Sequence, residues 1–363
     1  MSRYRLPALK RVLAAVAYLF PAMAGAVEGD RVTFPAQGDE TGRLVIHAAT
    51  DLEAMRPLLR DFQALNPGVA IEYSDYVTND LFREAQQACA AGSSKADILL
   101  SSSVDQLVRL ANDGCAQMHD SSGTQGVADW ANWRNEVFGF TFEPVVFVYD
   151  RRSVPPEDVP RSHDGLSDLL RGKTDVYRGR IATYDIEASG IGYLLAFYDS
   201  RQAPTANGRL LETLSRAETV VRCCNNEVLG ELAAGRISIA YNVLGSYAYA
   251  AALANPDLRI VLPEDYALIL SRGAMIPARA AGAEFGKHFL DYLLSARGRQ
   301  VARESSFFFS EDAPLPHGVE GPESLTGSGI GRPIRIGPAL LAAQDEIQRH
   351  QFITDWKNVL LRR

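Results

Sequence analysis

The sequence predicts an α/β protein of two lobes joined by two crossing strands that form a hinge. Short apolar runs typical of buried strands alternate with segments whose apolar residues recur at helical spacing, and two longer apolar runs bracket the middle of the chain. Alternating strands and helices are typical of parallel, doubly wound sheets. The two longer runs indicate that the chain passes twice between two such sheets, which leaves a cleft between the lobes.

The first alternation builds the start of the first lobe. Residues 43–48 (RLVIHA) have the pattern of a buried strand, and residues 51–65 have that of an amphipathic helix ended by Asn66-Pro67-Gly68. The elements predicted next are strand 69–73, helix 79–91, strand 96–100 and helix 103–112.

The two crossings are predicted from the longer apolar runs. The first, FGFTFEPVVFVYD at residues 138–150, is broken at Glu143-Pro144, and a proline inside such a run marks an edge or a break. The second is YALILS at residues 266–271, and a further strand and helix alternation lies between the two. The predicted units are lobe 1 (43–142 plus 273–363), lobe 2 (145–270) and hinge segments near 143–145 and 270–273.

The last part of the chain is predicted to be mainly helical. Residues 283–294, 296–304 and 338–361 have helical spacing of apolar residues, and a Gly-, Ser- and Pro-rich loop covers 318–331. We expect the final helix to pack on the first lobe.

The N-terminus has the layout of an export signal. Residues 1–26 combine a basic start, an apolar run over 12–24 and the small residues Ala24 and Ala26 before a cleavage point, so a signal peptide is predicted. The apolar run is shorter than the roughly 20 residues that span a bilayer. Residues 27–42, which are rich in Gly, Pro and charged residues, are predicted to be a loose leader.

The charge balance and motifs exclude several classes of function. The net charge is −7, and it becomes −11 without residues 1–26, which carry four Lys or Arg and no acid. This disfavours nucleic acid and anionic membranes as partners. Ser189 lacks the G-x-S-x-G pattern of a nucleophile, and the six His make no metal-ligand spacing. We therefore predict neither an enzyme nor a resident metal or cofactor.

The four cysteines allow three pairings. Export makes disulfides chemically permissible. A bond between Cys223 and Cys224 is disfavoured because neighbouring Cα atoms, about 3.8 Å apart, are closer than in most disulfides. Cys89 and Cys115 close a modest loop inside one predicted lobe and are the favoured pair; four buried thiols remain the alternative.

Small polar residues occupy four predicted turns from strand to helix. Each turn places hydroxyl and backbone N–H donors at a helix start, where the helix dipole favours an anion. Ser and Thr are also ordinary N-caps. Because the turns fall two in each lobe at the carboxyl ends of strands, an anion-binding cleft is the better interpretation. The turns are Ala49-Thr50-Asp51, Ser101-Ser102-Ser103, Ala188-Ser189-Gly190 and Leu244-Gly245-Ser246.

Several stretches, in this order, resemble the periplasmic substrate-binding proteins of bacterial ABC transporters. They are LVIHAATDLEAMRPLLRDFQALNPGVAIEY, KADILLSSSVDQLVRLANDG, FGFTFEPVVFVYDRR, ASGIGYLLAFY and ISIAYNVLGSYA. The similarity is to the group of ferric-ion, phosphosugar and phosphoglycerate binders. It implies the type 2 periplasmic binding protein fold, a periplasmic location, hinge closure on a ligand and delivery to a membrane permease.

The resemblance also implies roles for single residues. In ferric-binding relatives a Ser-Gly turn and nearby Asn side chains hold an anion beside the iron; Ser189-Gly190 matches the turn, and Asn242 and Asn226 match the amides. The iron ligands match poorly. Asp51 stands where a His is expected, Ser102 stands where a Glu is expected, and Ala248 separates two Tyr that should be adjacent. Because ferric iron needs hard anionic oxygen ligands, an organic anion is the favoured cargo and iron the alternative.

The predicted ligand site combines these turns with a glutamate at the first crossing. Residues of lobe 2 are expected to grip the anionic end of a phosphorylated or carboxylated solute, and residues of lobe 1 the rest. The expected partners are this solute and an ABC permease, with the protein a monomer; the second interpretation is a sensory accessory protein that serves a sensor kinase. The predicted ligand-binding residues are Thr50, Asp51, Ser102, Ser103, Glu143, Ser189, Gly190, Asn226, Asn242, Ser246 and Tyr247.

Overall fold

The computed structural model describes residues 30–311, 313–322, 324–325 and 327–361. The signal peptide predicted over residues 1–26 lies outside the described residues. None of the helices in the described part of the chain is both long enough and apolar enough to cross a membrane.

Strands and helices alternate along most of the described chain. The strands are β1 (Asp30–Phe34), β2 (Gly42–Ala49), β3 (Val69–Asp75), β4 (Ile98–Ser101), β5 (Asn132–Trp133), β6 (Val137–Gly139), β7 (Glu143–Asp150), β8 (Ile181–Tyr184), β9 (Val220–Arg222), β10 (Ile239–Leu244), β11 (Leu258–Val261), β12 (Ala267–Leu270), β13 (Gly273–Met275), β14 (Val319–Glu320) and β15 (Gly331–Pro333). The helices are α1 (Leu52–Leu65), α2 (Thr78–Ala90), α3 (Val104–Asn112), α4 (His163–Gly172), α5 (Thr174–Tyr177), α6 (Gly190–Gln202), α7 (Pro204–Arg216), α8 (Asn225–Ala233), α9 (Gly245–Ala254), α10 (Ala283–Leu294), α11 (Ala296–Ser305), α12 (Leu340–Ala343) and α13 (Glu346–Leu360).

The first sheet has the strand order β1-β3-β2-β4-β13-β6-β5. Strand β2 lies between β3 and β4 and is parallel to both. Leu44 and Ile46 of β2 are fully buried and share a core with Leu59 and Phe62 of α1 and with Phe289 of α10. Parallel strands that are covered by helices are apolar along almost their whole length. The apolar pattern over 43–48 therefore predicts a strand. We call this sheet with α1, α2, α3, α10 and α11 the first lobe.

The segment expected to be a loose leader contains an edge strand. Strand β1 pairs antiparallel with β3, with Val32 opposite Tyr73 and Phe34 opposite Ile71. Its residues are mostly exposed, as expected for a strand at the edge of a sheet. The expectation of a loose leader over 27–42 is therefore corrected for Asp30–Phe34. Pairing with β3 makes these residues a strand, although their exposed side chains give no pattern of a buried strand.

The second sheet has the strand order β14-β11-β7-β10-β8-β9, and β12 pairs with both β7 and β15. Strands β8, β9 and β10 are parallel. Strand β7 lies between β10 and β11 and all eight of its residues are buried. We call this sheet with α4 to α9 the second lobe.

The chain passes between the sheets three times, where the sequence predicted two crossings. It leaves the first sheet after β6 and enters the second at β7, then returns between β12 and β13. The third crossing follows α11 and ends at β14, which pairs with β11. The sequence pattern misses this crossing because β14 and β15 have only two and three residues within a loop rich in Gly, Ser and Pro.

The C-terminal helix packs on the second lobe, which corrects its assignment to the first. Ile353, Trp356 and Leu360 of α13 share a core with Leu166 and Leu210 of α4 and α7. The short helix α12 contacts α3 of the first lobe instead. An apolar helix face shows that the helix is buried but does not show against which surface.

All four cysteines form disulfides. Cys89 and Cys115, the pair favoured by the sequence, have Cα atoms 5.6 Å apart. Cys223 and Cys224 are also joined, although the sequence argument disfavoured this bond. They lie in the turn between β9 and α8, and the structure leaves no free cysteine among the residues it describes.

A buried aspartate in α3 leads to a pH-dependent prediction. Asp105 is fully buried and accepts a hydrogen bond from the side chain of Gln344, and burial raises its pKa to about 6. The folded protein therefore holds a proton that the unfolded chain loses near pH 4, so the contribution of Asp105 to stability is lost as the pH rises through 6. Asparagine does not ionise, so the variant lacks this loss. We therefore expect the unfolding free energy of Asp105→Asn minus that of the parent protein to be about 2–3 kcal/mol larger at pH 7.5 than at pH 4.

Urea unfolding at the two pH values measures this difference. Asp113→Asn, at the exposed end of the same helix, is the control and should shift stability by less than about 0.5 kcal/mol at either pH. A stability difference for Asp105→Asn that is the same at pH 4 and pH 7.5 would contradict the prediction.

Candidate functional site

Six helices begin at the junction between the lobes. Helices α1, α2 and α3 follow the parallel strands β2, β3 and β4, and α6, α8 and α9 follow β8, β9 and β10. Because the carboxyl ends of parallel strands lie on the same edge of a sheet, each lobe presents three helix N-termini to the other. The polar turns that the sequence singled out belong to this arrangement.

The start of α1 contacts the starts of two helices of the second lobe. The Asn226 amide donates to Asp51 Oδ1 across 2.8 Å, and the Asp51 backbone N–H donates to the Tyr247 hydroxyl across 3.4 Å. Behind them, Asp75 accepts a hydrogen bond from the Leu52 backbone N–H at 3.0 Å, and burial raises its pKa to about 6. Three of the predicted residues therefore meet at one point of the junction.

The Ser189-Gly190 turn closes on the first lobe. Ser189 Oγ caps α6 by accepting from the Gly192 backbone N–H at 3.1 Å, and the Gly190 N–H donates to Thr78 Oγ1 at 2.9 Å. The Asn79 amide donates to the carbonyl oxygens of residues 187 and 188 at 3.0 and 2.9 Å. The two lobes are therefore in direct contact, which is the closed arrangement of a hinged protein.

Gly190 approaches the first lobe so closely that no side chain fits there. A Cβ atom at this position would lie 2.6 Å from Gln106 Nε2, 2.7 Å from Ser103 Oγ and 2.9 Å from Thr78 Oγ1. Each distance is below any ordinary carbon contact. In the closed arrangement, a Cβ atom at residue 190 would therefore require these three side chains of the first lobe to shift.

Two predicted serines have buried hydroxyls without a hydrogen-bond partner. Ser103, just before α3, is 0 % exposed, and Ser246, in the first turn of α9, is 2 % exposed. Neither Oγ atom has a partner among the residues that the structure describes, and the same holds for Gln106 Oε1. Leaving such a group unpaired costs about 1–3 kcal/mol, so these atoms need a partner from outside the chain.

A buried ion pair spans the hinge. Arg272, 1 % exposed, donates from Nε to Glu143 Oε1 at 2.6 Å and from Nη2 to Oε2 at 3.3 Å, and Glu143 is 0 % exposed. Nη1 donates to Thr50 Oγ1 at 3.0 Å. The guanidinium also lies over the rings of Tyr247 and Phe307, 5.0 and 5.3 Å from their centroids. Burial alone would lower the pKa of Arg272, but the Glu143 carboxylate outweighs it and raises the pKa.

Asn242 does not reach the junction, which corrects its predicted place in the ligand site. Its amide donates to Asp199 Oδ2 at 2.6 Å inside the second lobe. Asn242 has a positive φ of 64°, and the pairing of β10 with β7 changes register between Ala240 and Val243. This irregularity turns the side chain inward. Ser102, by contrast, is buried at the junction next to Ser103.

Sequence reasoning missed four residues of the junction. Thr78 and Asn79 begin α2, Gln106 lies in the first turn of α3, and Arg272 lies at the second crossing. Arg272 had a usable signal, because it is the one charged residue in the apolar run YALILSRGAMIP. No group of three or more His, Cys, Asp or Glu side chains suited to a metal ion occurs within the described part of the chain.

Comparisons with known proteins identify the family. A family model for bacterial extracellular solute-binding proteins matches residues 44–308. The substrate-binding protein of an ABC transporter from Agrobacterium tumefaciens is 32 % identical, with 91 % of this chain and 98 % of that chain covered and a TM-score of 0.83. A comparison with curated protein sequences gives no match.

Two more distant structures share the fold. Iron-bound HitA from Pseudomonas aeruginosa is 16 % identical, covering 86 % of this chain and 99 % of its own, with a TM-score of 0.67. AfuA from Actinobacillus pleuropneumoniae, with fructose-6-phosphate bound, is 13 % identical, covering 89 % and 99 %, also with a TM-score of 0.67. The predicted two-lobed binding-protein fold is confirmed. The chain belongs to the bacterial extracellular solute-binding proteins, and it is a periplasmic solute-binding protein of an ABC transporter.

Proposed function

We propose that this protein captures a small anionic solute, phosphorylated or carboxylated, between its lobes and hands it to the transporter's permease. The observation that carries the proposal is the pair of buried hydroxyls on Ser103 and Ser246, which lack partners among the described residues. Both lie at helix N-termini, where unpaired N–H groups and the helix dipole favour negative charge. An anionic group at either serine would accept from that hydroxyl and from the backbone N–H groups of the same helix start.

The donors at the junction favour an organic anion over ferric iron. Ferric iron needs several anionic oxygen ligands. Among the junction residues, Glu143 is already paired with Arg272, and Asp51 accepts from Asn226. Asp75, behind Asp51, accepts from the Leu52 backbone N–H. The remaining groups are hydroxyls, amides and backbone N–H groups, which donate hydrogen bonds to an anion. The iron and the sugar phosphate bound by HitA and AfuA define the two cargo classes to be compared.

Closure of the lobes would couple binding to recognition by the permease. The contacts of Asn226 with Asp51 and of Gly190 with Thr78 join different lobes, so they exist only when the cleft is shut. A solute that contacts both lobes binds the closed state more tightly than the open state. It stabilises the closed state by that difference in binding free energy. We propose binding and release without chemical change of the solute.

The cargo is identified by native mass spectrometry of the protein purified from its host periplasm, followed by calorimetry. The panel holds phosphate, sugar phosphates, glycerate phosphates, di- and tricarboxylates and ferric citrate. We expect a phosphorylated or carboxylated compound to bind with a dissociation constant of about 1 µM or below. Tight binding of ferric ion alone would replace the organic anion as the cargo. Co-purification with a permease supports delivery, whereas co-purification with a sensor kinase supports the sensory role.

Ser189→Asp tests whether the anion lies beside Ser103, because the Ser189-Gly190 turn contacts Ser103 across the closed lobes. Aspartate caps a helix as well as serine does, so α6 should keep its stability, but the added carboxylate repels an anion. We expect affinity for the anionic solute to fall at least about 100-fold, or by about 2.7 kcal/mol, in calorimetric titration.

The chain offers a matched control. Ser162 caps α4 in the same way, accepting from the Gly165 N–H at 2.9 Å, and it belongs to the second lobe away from the junction. Ser162→Asp should leave affinity unchanged. If Ser189→Asp binds the solute as tightly as the parent protein, the Ser189 turn does not hold the anion.

A further inference from the structure

A cavity apart from the predicted ligand-binding residues is built from the segments that cross between the lobes. It has a volume of about 500 Å³, and none of the eleven predicted ligand-binding residues lines it. Its walls include residues 139–142 of the first crossing, Ser271 of the second, and Phe307 with residues 309–311 of the third. We call it the hinge cavity; its size is within the range of small-molecule sites.

Five aromatic side chains are among the residues that line the hinge cavity: Trp130, Phe140, Phe142, Phe307 and Phe309. Trp130 and Phe142 make an edge-to-face contact with centroids 6.3 Å apart, and Phe140 and Phe307 make another at 6.1 Å. Trp130 Nε1 is buried and has no hydrogen-bond partner among the described residues. A buried indole N–H ordinarily has an acceptor.

Two exposed arginines lie at the same cavity. Arg299 and Arg303 are one turn apart on α11, and both are exposed and line the cavity. Their neighbour Arg297 pairs with Asp61 at 2.7 Å, but neither of these two forms an ion pair with a carboxylate of any described residue. Among the described lining residues, the two arginines outnumber the one acidic residue, Glu311.

We propose that the hinge cavity is a binding site for a small aromatic carboxylate. Its ring would pack against the aromatic walls, and its carboxylate would accept hydrogen bonds from the guanidinium groups of Arg299 and Arg303. This occupant differs in kind from the solute held between the lobes, and the proposal does not depend on that solute.

The hinge cavity is connected to the buried ion pair. Thr141 lines the cavity, donates from Oγ1 to Glu143 Oε1 at 3.0 Å and accepts from the Arg272 backbone N–H at 2.9 Å. Phe307 lines the cavity and also lies under the Arg272 guanidinium. An occupant would therefore contact two side chains that hold Arg272, and we expect it to slow hydrogen exchange of the Arg272 amide.

Calorimetry with phenylacetate and 3-phenylpropionate tests the site, with phenylacetamide as the uncharged equivalent. We expect saturable binding of an acid with a dissociation constant of about 0.1–1 mM and binding of the amide at least about 10-fold weaker. Arg299→Gln with Arg303→Gln should weaken the acid at least about 10-fold. Arg171→Gln with Arg216→Gln, exposed arginines of the second lobe, should have no effect.

Trp130→Phe supplies a second readout, because the change in tryptophan fluorescence on binding should disappear with it. The proposal is overturned if neither acid binds saturably up to about 10 mM, if the acid and the amide bind equally, or if the double arginine variant keeps the parent affinity. Arg299 and Arg303 are exposed, so circular dichroism should show an unchanged fold in that variant.

Discussion

Gly190→Ala should open the protein and weaken solute binding. The new methyl group would lie within 3 Å of Gln106, Ser103 and Thr78, all on the opposite lobe, so the clash exists only in the closed state. Overpacking of this kind costs about 1–3 kcal/mol, which corresponds to a loss of affinity of about 5- to 150-fold. Small-angle scattering without solute should show a larger radius of gyration, and calorimetry with the identified solute should show the weaker binding.

Helix propensity distinguishes the clash between the lobes from a loss of stability of the second lobe itself. Alanine is the better helix former by about 1 kcal/mol, so the second lobe itself should not be weakened. Gly230→Ala is the matched control, since Gly230 is an exposed residue of α8 with no atom within 4 Å of its would-be Cβ. An unchanged radius of gyration and unchanged affinity in Gly190→Ala would show that the closed contact at Gly190 is not used in binding.

Glu143→Gln should cause a large loss of stability. The substitution leaves the Arg272 guanidinium buried with its charge uncompensated. Breaking a buried ion pair from one side costs about 3–5 kcal/mol, whereas replacing both partners by apolar side chains is often close to neutral. We therefore expect Glu143→Leu with Arg272→Met to recover most of the stability that Glu143→Gln loses, as measured by urea unfolding.

An exposed pair provides the comparison. Asp168 pairs with Arg171 on the surface of α4, and both side chains are more than half exposed. Asp168→Asn should change the unfolding free energy by less than about 0.5 kcal/mol because water screens the pair. If the stability loss of the Glu143→Leu/Arg272→Met variant equals the sum of the losses of its two single substitutions, Glu143 and Arg272 do not act as a pair.

The local parts of the site could be predicted from the sequence because their signals are local. Ser189, three residues before Gly192, has the spacing of a serine N-cap, and the structure shows that bond. The turn of Thr50 and Asp51 follows an unmistakable buried strand. Parallel strands place such turns on one edge by geometry alone, so the grouping of the turns within each lobe also follows from the sequence.

The misses have equally specific causes. Asn242 follows the pattern of a strand end, but the change of register in β10 and its positive φ direct the amide to Asp199. The pairing of Arg272 with Glu143 joins residues 129 positions apart. No local pattern carries information about a partner that far along the chain.

The sequence alone determined that the chain alternates strands with helices, where it crosses between lobes for the first two times, and which turns carry anion-suited donors. These features depend on residue type and on periods of two and 3.6 residues. The tertiary structure alone decided the third crossing, the packing of α13 on the second lobe, the burial of Arg272 and the close contact at Gly190. Each depends on which distant surfaces meet, because burial and hydrogen bonding are settled by packing between elements and not by the pattern within any one of them.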